Sequence, residues 1–178
     1  MRFAGGNRQL VCAAVDVHYV GAGARAAVVT AADPAFATLL HERTLFVPRV
    51  PPYRPGEFYL RELPPVRAVL GELEDQAGQA VPGLIVVDGY VDLDPDGRPG
   101  LGAYVHAEFG VPVIGVAKSV FMPATHAIPV LRGASGRPLY VTAAGMPRTT
   151  AAELVGQMAG SYRIPDAMRR ADALARRG

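Results

Sequence analysis

The sequence predicts an α/β fold in which a mixed β-sheet is flanked by α-helices. Three apolar segments near the amino terminus are joined by short connections, as in an antiparallel meander. Helical and strand patterns then alternate along the rest of the chain, which is typical of a sheet covered by helices. Between these two parts, the run Leu84 to Asp88 begins with four aliphatic residues, which indicate a strand buried on both faces.

Length and composition limit the class of protein. The chain has 178 residues, 50% of them hydrophobic, which suffices for one core, and we predict a single domain over residues 1–178. The single cysteine, Cys12, lies in an apolar run, which excludes a disulfide framework and favours a cytoplasmic location. Neither a leader sequence nor a membrane span is predicted. A net charge of +2 is too small to indicate nucleic-acid binding by itself.

The first elements are predicted to be strands followed by one rigid loop. Apolar patterns predict strands at residues 11–19, 24–30 and 44–47, after a loose terminus at residues 1–9. Residues 50–56 contain three prolines and cannot form a helix or a central strand, so we predict a stiff loop. Tyr53 lies in this loop, where its ring either packs the loop onto the domain or stays exposed to stack on bases.

The later elements alternate between helix and strand. A helix is predicted to begin at Pro64, which leaves Glu62 just before its start as a capping or solvated charge. The patterns then predict a loop at 90–100, a helix at 101–109, a strand at 113–117, an irregular segment at 121–137 and a strand at 138–141. Two helices follow, one capped by Thr149 and one from Pro165 to about Arg177.

Two of the predicted strands carry an aspartate. Asp88 ends the buried strand and is followed by Gly89, which permits a sharp turn and a close approach of the backbone. Asp16 lies in the first strand. Open α/β sheets bind ligands at the carboxyl ends of their strands, and two carboxylates that meet need a cation between them. The sequence therefore predicts that these two aspartates share a site with a bound cation.

The lysine content of the chain singles out one residue. Of the 18 basic residues only Lys118 is a lysine, and it directly follows the strand predicted at 113–117. It is either a cation that reaches solvent from the end of a strand, or a point charge directed at a phosphate or at a scissile oxygen. The residues alone leave both interpretations open.

Seven motifs, taken together, resemble the endonuclease V family. They are, in order, Asp16 in the first strand, Pro52-Tyr53-Arg54-Pro55-Gly56, Arg61-Glu62 with Pro64, Val87-Asp88-Gly89, Ile114-Gly115-Val116-Ala117-Lys118-Ser119, Pro138-Leu139-Tyr140-Val141 and Arg170-Ala171-Asp172. Each motif alone has low specificity. Their common order and similar spacing extend over nearly the whole chain, which is similar to endonuclease V on this basis.

The resemblance implies a fold and a chemistry. The family has a ribonuclease H-like fold, requires magnesium or manganese, and nicks nucleic acid on the 3′ side of deoxyinosine, one nucleotide beyond the lesion. By resemblance, Asp16, Glu62 and Asp88 are catalytic metal ligands. Lys118 matches a catalytic lysine that neutralises charge on the phosphate during cleavage.

The resemblance also implies how the substrate is held. Tyr53 matches a wedge that props the strands apart while the lesion base is turned out into a pocket. Pro55 and Gly56 of the same loop, and Gly89 beside the acidic strand end, are the further residues expected to contact the substrate. The implied partner is inosine-containing DNA or RNA.

The chain departs from the family at two places. Where family members usually carry Gly-His near the active centre, this chain has Gly145-Met146. Methionine neither ligates Mg²⁺ usefully nor carries a proton, so we expect a slower chemical step unless Glu153, on the next helix, supplies the missing group. The loop after Gly89 lacks the family's His-Pro-Arg run, for which only Arg98 could substitute.

Three functions were therefore compared. A metal-dependent deoxyinosine endonuclease is favoured. The alternative, suggested by Met146 and by the altered loop after Gly89, is a relative that binds nucleic acid without efficient cutting. A small-molecule phosphohydrolase would fit Asp88 and Gly89 but would leave the rigid Tyr53 loop unexplained. The oligomeric state does not follow from the sequence.

Overall fold

The computed structural model describes residues 11–77 and 82–177, so the predicted loose terminus at residues 1–9 lies outside the described residues. The strands are β1 (Cys12–Val20), β2 (Gly23–Ala31), β3 (Leu39–Val47), β4 (Leu84–Asp88), β5 (Val113–Ala117), β6 (Ile128–Val130) and β7 (Leu139–Ala144). The helices are α1 (Tyr59–Ala77), α2 (Leu101–Phe109), α3 (Arg148–Gln157) and α4 (Asp166–Arg177).

The described strands form one mixed sheet in the order β3-β2-β1-β4-β5-β7-β6. Strands β1, β2 and β3 pair antiparallel, which confirms the predicted meander. Strands β1, β4 and β5 run parallel at the centre, and β7 returns antiparallel to β5. This sheet takes strands from both halves of the chain.

Helices cover both faces of the sheet, as the buried central strand predicted. Odd-numbered residues of the central strands pack against α1 and α2, and Ala13, Ile85 and Val87 are examples. Even-numbered residues such as Ala14 and Val86 pack against α3 and α4. This alternation is the two-residue period of a strand, so each central strand contributes to two cores. No helix within residues 11–77 and 82–177 is long and apolar enough to cross a membrane.

Helix α1 begins five residues before the predicted start at Pro64. Pro64 and Pro65 lie inside the helix, where each removes one backbone hydrogen bond. Tyr59 and Leu63 precede the two prolines and pack against the core under α1 and α2. This burial extends the helix toward the amino terminus. The prediction of a helix start at Pro64 was therefore wrong, because tertiary packing overrides the local effect of proline.

Two further local predictions were corrected. The segment at 121–137 is not wholly irregular, because Ile128–Val130 pairs with β7 as an edge strand. Helix α3 begins at Arg148 and follows Pro147 without a side-chain cap, so Thr149 lies inside the helix instead of capping it. The strands at 113–117 and the helices at 101–109 and from Asp166 to Arg177 agree with the predictions.

Candidate active site

A pocket of about 810 Å³ opens where the parallel strands β1, β4 and β5 reach their carboxyl ends. We call it the carboxyl-end pocket. Six of the eight site residues predicted from the sequence line it: Asp16, Gly56, Glu62, Asp88, Gly89 and Lys118. The other two, Tyr53 and Pro55, are exposed on the loop that precedes Gly56. The structure thus brings together residues that are up to 102 positions apart, from 16 to 118.

The strand register places three of these side chains on one face. Asp16 and Asp88 directly follow the paired residues Val15 and Val87 of the neighbouring parallel strands. Both aspartates continue the even-numbered series that faces α3 and α4, and so does Lys118 after β5. Neighbouring strands lie about 4.8 Å apart, so the three side chains converge at the end of the sheet. Lys118 Nζ donates a hydrogen bond to Asp88 Oδ2 over 2.5 Å.

Glu62 reaches the pocket from the first turns of α1 and is only 8% exposed. Its Oε1 accepts a hydrogen bond from the Tyr19 hydroxyl at 3.2 Å, and the Arg61 guanidinium lies 4.1 Å from the centre of the Tyr19 ring. Glu62 is therefore not the solvated or capping charge that the residues alone suggested. Because α1 begins at Tyr59, Glu62 lies inside the helix and its side chain points into the pocket.

Burial and mutual repulsion raise the pKa values of two of the carboxyl groups, those of Asp16 and Glu62. Burial raises the pKa of Glu62 to about 8, and the nearby Asp16 adds to this rise. Burial likewise raises the pKa of Asp16 to about 7, with a further contribution from Asp88. Burial alone would lower the pKa of Lys118, but Asp88, Asp16 and Asp172 outweigh it and the pKa is raised. The pocket therefore holds more negative charge than its one lysine balances.

This donor set fits a divalent metal ion. Carboxylate oxygens are the ligands that Mg²⁺ and Mn²⁺ take in proteins, and a divalent cation would relieve the repulsion that raises the pKa values of Asp16 and Glu62. As the side chains stand, no three His, Cys, Asp or Glu residues among the described ones form a group that could hold a metal ion. Asp88 is instead paired with Lys118. We therefore expect metal binding to require rotation of these side chains.

A fourth carboxylate, Asp172 of α4, also lines the carboxyl-end pocket. It acts electrostatically on both Asp16 and Lys118 and accepts hydrogen bonds from Arg176 at 2.9 and 3.0 Å. In the sequence, Asp172 stood out only as part of the motif Arg170-Ala171-Asp172 and was not predicted to be a site residue. Its position four residues after the buried Met168 was the available signal, because this spacing puts a carboxylate on the buried stripe of the helix.

The pair Gly145-Met146 lies outside the carboxyl-end pocket. Strand β7 runs antiparallel to β5, so Ala144 at its end pairs with Val113, at the opposite end of β5 from Lys118. Met146 packs against the core beneath α3 and α4. Glu153 is exposed on α3, and neither residue lines the carboxyl-end pocket. The expectation that Met146 slows the chemistry, or that Glu153 compensates for it, therefore finds no support in the topology.

We expect Asp172→Asn to lower the single-turnover rate of nicking by about 10²–10⁴-fold, the range for loss of a group that acts at the reacting centre. We expect Met146→His and Glu153→Gln to change that rate by less than about twofold, since both residues lie outside the pocket. Rates are measured with enzyme in excess over labelled inosine-containing DNA. A strong effect of Met146→His together with no effect of Asp172→Asn would contradict the assignment of Asp172.

The proline-rich loop presents Tyr53 to solvent. The Tyr53 side chain is 60% exposed, so the alternative in which it packs the loop onto the domain does not apply. The loop ends in a turn closed by a hydrogen bond from Glu57 N–H to the Arg54 carbonyl at 3.0 Å. Gly56 has φ +80°, and a Cβ at this position would lie 3.1 Å from the Arg98 guanidinium. Glycine therefore allows Arg98, which also lines the pocket, to reach the base of the loop.

The turn after Asp88 is defined by the backbone conformation of Gly89 and by hydrogen bonds to the neighbouring loop. Gly89 has φ +134°, a conformation that favours glycine, and its N–H donates to the Val116 carbonyl at 3.1 Å. Next to it, the Tyr90 hydroxyl donates to the Ser119 carbonyl at 2.8 Å and accepts from Phe121 N–H at 3.0 Å. These bonds join the loops that follow β4 and β5, and the two aromatic rings form one wall of the pocket.

The backbone of Lys118 is held from outside the pocket. The Arg163 guanidinium donates hydrogen bonds to the carbonyls of Lys118, Pro138 and Arg137, the last two at 2.8 and 2.9 Å. Hydrogen bonds between a charged donor and a carbonyl are stronger than neutral ones. Arg163 therefore fixes the main chain from which the lysine side chain extends toward Asp88.

Comparison with known proteins gives one consistent result. A sequence model of the family described as Endonuclease V matches residues 4–144. An Endonuclease V from Roseiflexus castenholzii is 32% identical over 189 aligned residues, which cover 93% of this chain and 81% of that protein. The crystal structure of the Endonuclease V from Streptomyces avermitilis has a TM-score of 0.76 and 32% identity, and the match covers 97% of this chain and 83% of that one.

A complex with DNA is also among the similar structures. Endonuclease V from Ciona intestinalis, solved with a 23mer DNA containing an inosine followed by a ribo-adenosine, has a TM-score of 0.81 and 20% identity. The match covers 93% of this chain and 83% of that chain. At this identity the likeness concerns the fold.

Proposed function

Because this chain belongs to the endonuclease V family, a family of metal-dependent nucleases, we propose that it nicks DNA on the 3′ side of deoxyinosine with a divalent cation bound in the carboxyl-end pocket. The chain has the ribonuclease H-like fold of that family. The observation that carries the proposal is the convergence of four carboxylates and the only lysine of the chain at the carboxyl ends of parallel strands. This is where α/β sheets place their ligands.

Asp16, Glu62 and Asp88, together with Asp172, would hold the cation. Magnesium is proposed and manganese is the alternative, since both prefer oxygen ligands. When bound, such an ion lowers the pKa of a water molecule and stabilises charge on phosphate oxygens. Tyr19 orients Glu62 through its hydroxyl, and the buried setting of Glu62 excludes water that would weaken these interactions.

Lys118 would act on the scissile phosphate. Its ammonium group pairs with Asp88, and it would be available to a phosphate oxygen if Asp88 held a cation. A positive charge fixed beside the reacting phosphate stabilises the negative charge that grows in the transition state. The hydrogen bond from Arg163 to the Lys118 carbonyl keeps this charge in place.

The remaining pocket residues suit an extruded base. Tyr90 and Phe121 offer aromatic faces on one side of the pocket, and Arg98 offers hydrogen-bond donors near Gly56. Extruding a base costs a few kcal/mol, which stacking on aromatic rings offsets in part. We propose that the exposed Tyr53 fills the space that the base leaves in the duplex.

Incision of labelled DNA tests the proposed function. Duplex and single-stranded substrates with one deoxyinosine are incubated with Mg²⁺ and then with Mn²⁺, beside matched substrates that carry deoxyguanosine. We expect one nick on the 3′ side of the lesion, dependent on both inosine and metal. Binding of the inosine duplex without nicking under either metal would favour the catalytically weak relative instead.

Tyr53→Ala is expected to weaken binding to inosine-containing duplex by roughly 1–3 kcal/mol, the range for one lost base stack. Fluorescence anisotropy with EDTA present measures binding without cutting. Phe46→Ala is the matched control, because Phe46 is a similarly exposed aromatic residue on β3 that does not line the pocket. Equal affinity of Tyr53→Ala and Phe46→Ala would rule out the wedge.

We propose that the enzyme acts in the cytoplasm. The free, buried Cys12 is compatible with this compartment. The catalytically weak alternative rested on Met146 and on the altered loop after Gly89. It loses the first of these arguments because β7 carries Met146 to the opposite end of the sheet. A small-molecule phosphohydrolase has no feature in its favour beyond Asp88 and Gly89.

A further inference from the structure

A second cavity lies beside the carboxyl-end pocket, on the outer side of Lys118. It is a groove of about 490 Å³ between the loop that joins β6 to β7 and the segment that joins α3 to α4. We call it the Tyr162 groove. Its lining residues are Ala134, Ser135, Ser161, Tyr162, Arg163, Ile164 and Arg169. None of these residues belongs to the catalytic set proposed above.

The chemistry of the groove combines an aromatic face with positive charge. The Tyr162 side chain is 60% exposed, and the Arg169 guanidinium lies 4.3 Å from the centre of its ring. No acidic residue is among the lining residues. The carboxylate of Asp166, exposed on α4, lies 3.3 Å from the Arg169 guanidinium. An exposed ring with a stacked guanidinium is a surface that suits a base and its phosphate.

The floor of the groove is rigid. Arg132 is only 6% exposed and donates hydrogen bonds to the carbonyls of Met158, Gly160 and Tyr162. Gly133 has φ +59°, and a Cβ there would lie 2.4 Å from the Ser161 carbonyl oxygen, so the two loops are in close contact. A surface that is already ordered loses little conformational entropy when it binds a ligand.

A hydrogen bond and a shared helix connect the groove to the carboxyl-end pocket. Arg163, which lines the groove, donates to the carbonyl of Lys118, which lines the carboxyl-end pocket. Helix α4 contributes Arg169 to the groove and, one turn later, Asp172 to the pocket. One helical turn spans about 5.4 Å, and a nucleic-acid strand advances about 3.4 Å per nucleotide, so one or two nucleotides bridge this distance. A strand with a phosphate in the pocket can therefore reach the groove.

We propose that the Tyr162 groove binds a nucleotide of the cleaved strand that flanks the scissile phosphate. Tyr162 stacks on its base and Arg169 contacts its phosphate. This site would extend the recognised substrate beyond the lesion, and it would contribute affinity rather than chemistry. The inference rests on the proposed function, because it takes the strand bound in the carboxyl-end pocket as the ligand.

The binding test uses single-stranded dT15 without inosine, in EDTA, so that it does not depend on cleavage. We expect Tyr162→Ala to weaken binding by roughly 5- to 100-fold, the loss expected for one base stack. Tyr162→Phe keeps the ring and should retain affinity. Arg169→Gln should reduce the slope of log K against log salt concentration by about 0.7, the value for one phosphate contact on a single strand.

Matched controls lie at the opposite edge of the sheet. Phe46→Ala and Arg43→Gln remove an exposed ring and an exposed guanidinium from β3, the strand farthest from β6. We expect neither to change affinity or the salt slope. A Tyr162→Ala protein that binds dT15 as well as the Phe46→Ala protein does would overturn the proposal.

Substrate truncation tests the placement. With inosine-containing single strands, Tyr162→Ala should raise KM and leave kcat within about twofold, because the groove binds ground state and transition state alike. The effect should vanish on a strand shortened on the side that reaches the groove. An equal effect on all lengths would place the nucleotide elsewhere. If the parent enzyme does not cut inosine strands, the proposed function fails while the dT15 result still stands by itself.

Discussion

Asp88→Asn is expected to reduce nicking by about 10³-fold or more while the protein stays folded. The substitution keeps the size of the side chain but removes one negative charge from the ligand set of the proposed cation. Several kcal/mol of transition-state stabilisation depend on that cation, and each 1.36 kcal/mol corresponds to a factor of ten in rate. Lys118 also loses the carboxylate partner that lies 2.5 Å from its Nζ.

Two measurements separate this effect from misfolding. Titration calorimetry with Mn²⁺ should show weaker metal binding for Asp88→Asn than for the parent. Thermal unfolding in EDTA should give nearly the same Tm for both proteins. Asp96→Asn is the matched control, because Asp96 is exposed in the loop after the same strand and does not line the pocket. Unchanged metal affinity together with parental activity would remove Asp88 from the site.

Glu62→Gln is expected to have opposite effects on catalysis and on stability. The variant should lose nicking activity by at least about 10²-fold, since a metal ligand is replaced by a neutral amide. In the metal-free protein it should raise the free energy of unfolding at pH 9 by about 1–3 kcal/mol. The reason is that an ionised Glu62 is buried close to Asp16 and Asp88 without a sufficient counter-charge.

The sign of the pH dependence follows from the raised pKa. Burial raises the pKa of Glu62 in the folded protein to about 8, whereas the unfolded chain releases this proton near the ordinary value of 4.5. Between these two values the folded state holds a proton that the unfolded state has lost, so its stability falls as the pH rises through this range. Glu62→Gln has no ionisable group at this position, so its stability does not fall for this reason as the pH rises. The two proteins should therefore differ little at pH 4 and most above pH 8.

Urea denaturation in EDTA at pH 4 and pH 9 measures this difference. Glu153→Gln serves as the control, because Glu153 is an exposed glutamate and its replacement should leave both stability and rate unchanged. A Glu62→Gln protein that is less stable than the parent at pH 9 would show that the hydrogen bond from Tyr19 outweighs the electrostatic cost.

The sequence by itself determined most of the strands and helices, and β6 is the described strand that it missed. Residues 84–88 and 113–117 were predicted at their observed bounds because an unbroken aliphatic run must be covered on both faces. The positions of Asp16 within β1, of Asp88 at the end of β4 and of Lys118 directly after β5 followed from the same patterns. These features depend on neighbours a few residues away, so local periodicity is enough to find them.

The resemblance to endonuclease V supplied what the patterns left open. Taken by itself, Glu62 was a charge near a helix start and Tyr53 an aromatic residue in a loop. The motifs assigned one to a metal site and the other to a wedge. In the structure Glu62 is buried in the carboxyl-end pocket and Tyr53 is exposed, and both assignments stay predictions.

Only the tertiary structure decided which residues share the site. Tyr19 and Glu62 are 43 positions apart, and Arg163 and Lys118 are 45 positions apart, yet each pair forms a hydrogen bond. Asp172 enters the pocket because α4 crosses the face of the sheet from which Asp16 projects. Such contacts depend on how the helices and strands pack, and this depends on the burial of residues distant in sequence.

The same reason explains the error about Met146. Motif order suggested that the residue after the last strand lies near the active centre, but it does not state in which direction that strand runs. Because β7 is antiparallel to β5, its carboxyl end lies at the amino end of β5. The sequence determined that a strand precedes Met146. Only the pairing of that strand with β5, through backbone hydrogen bonds, decided that Met146 lies far from the carboxyl-end pocket.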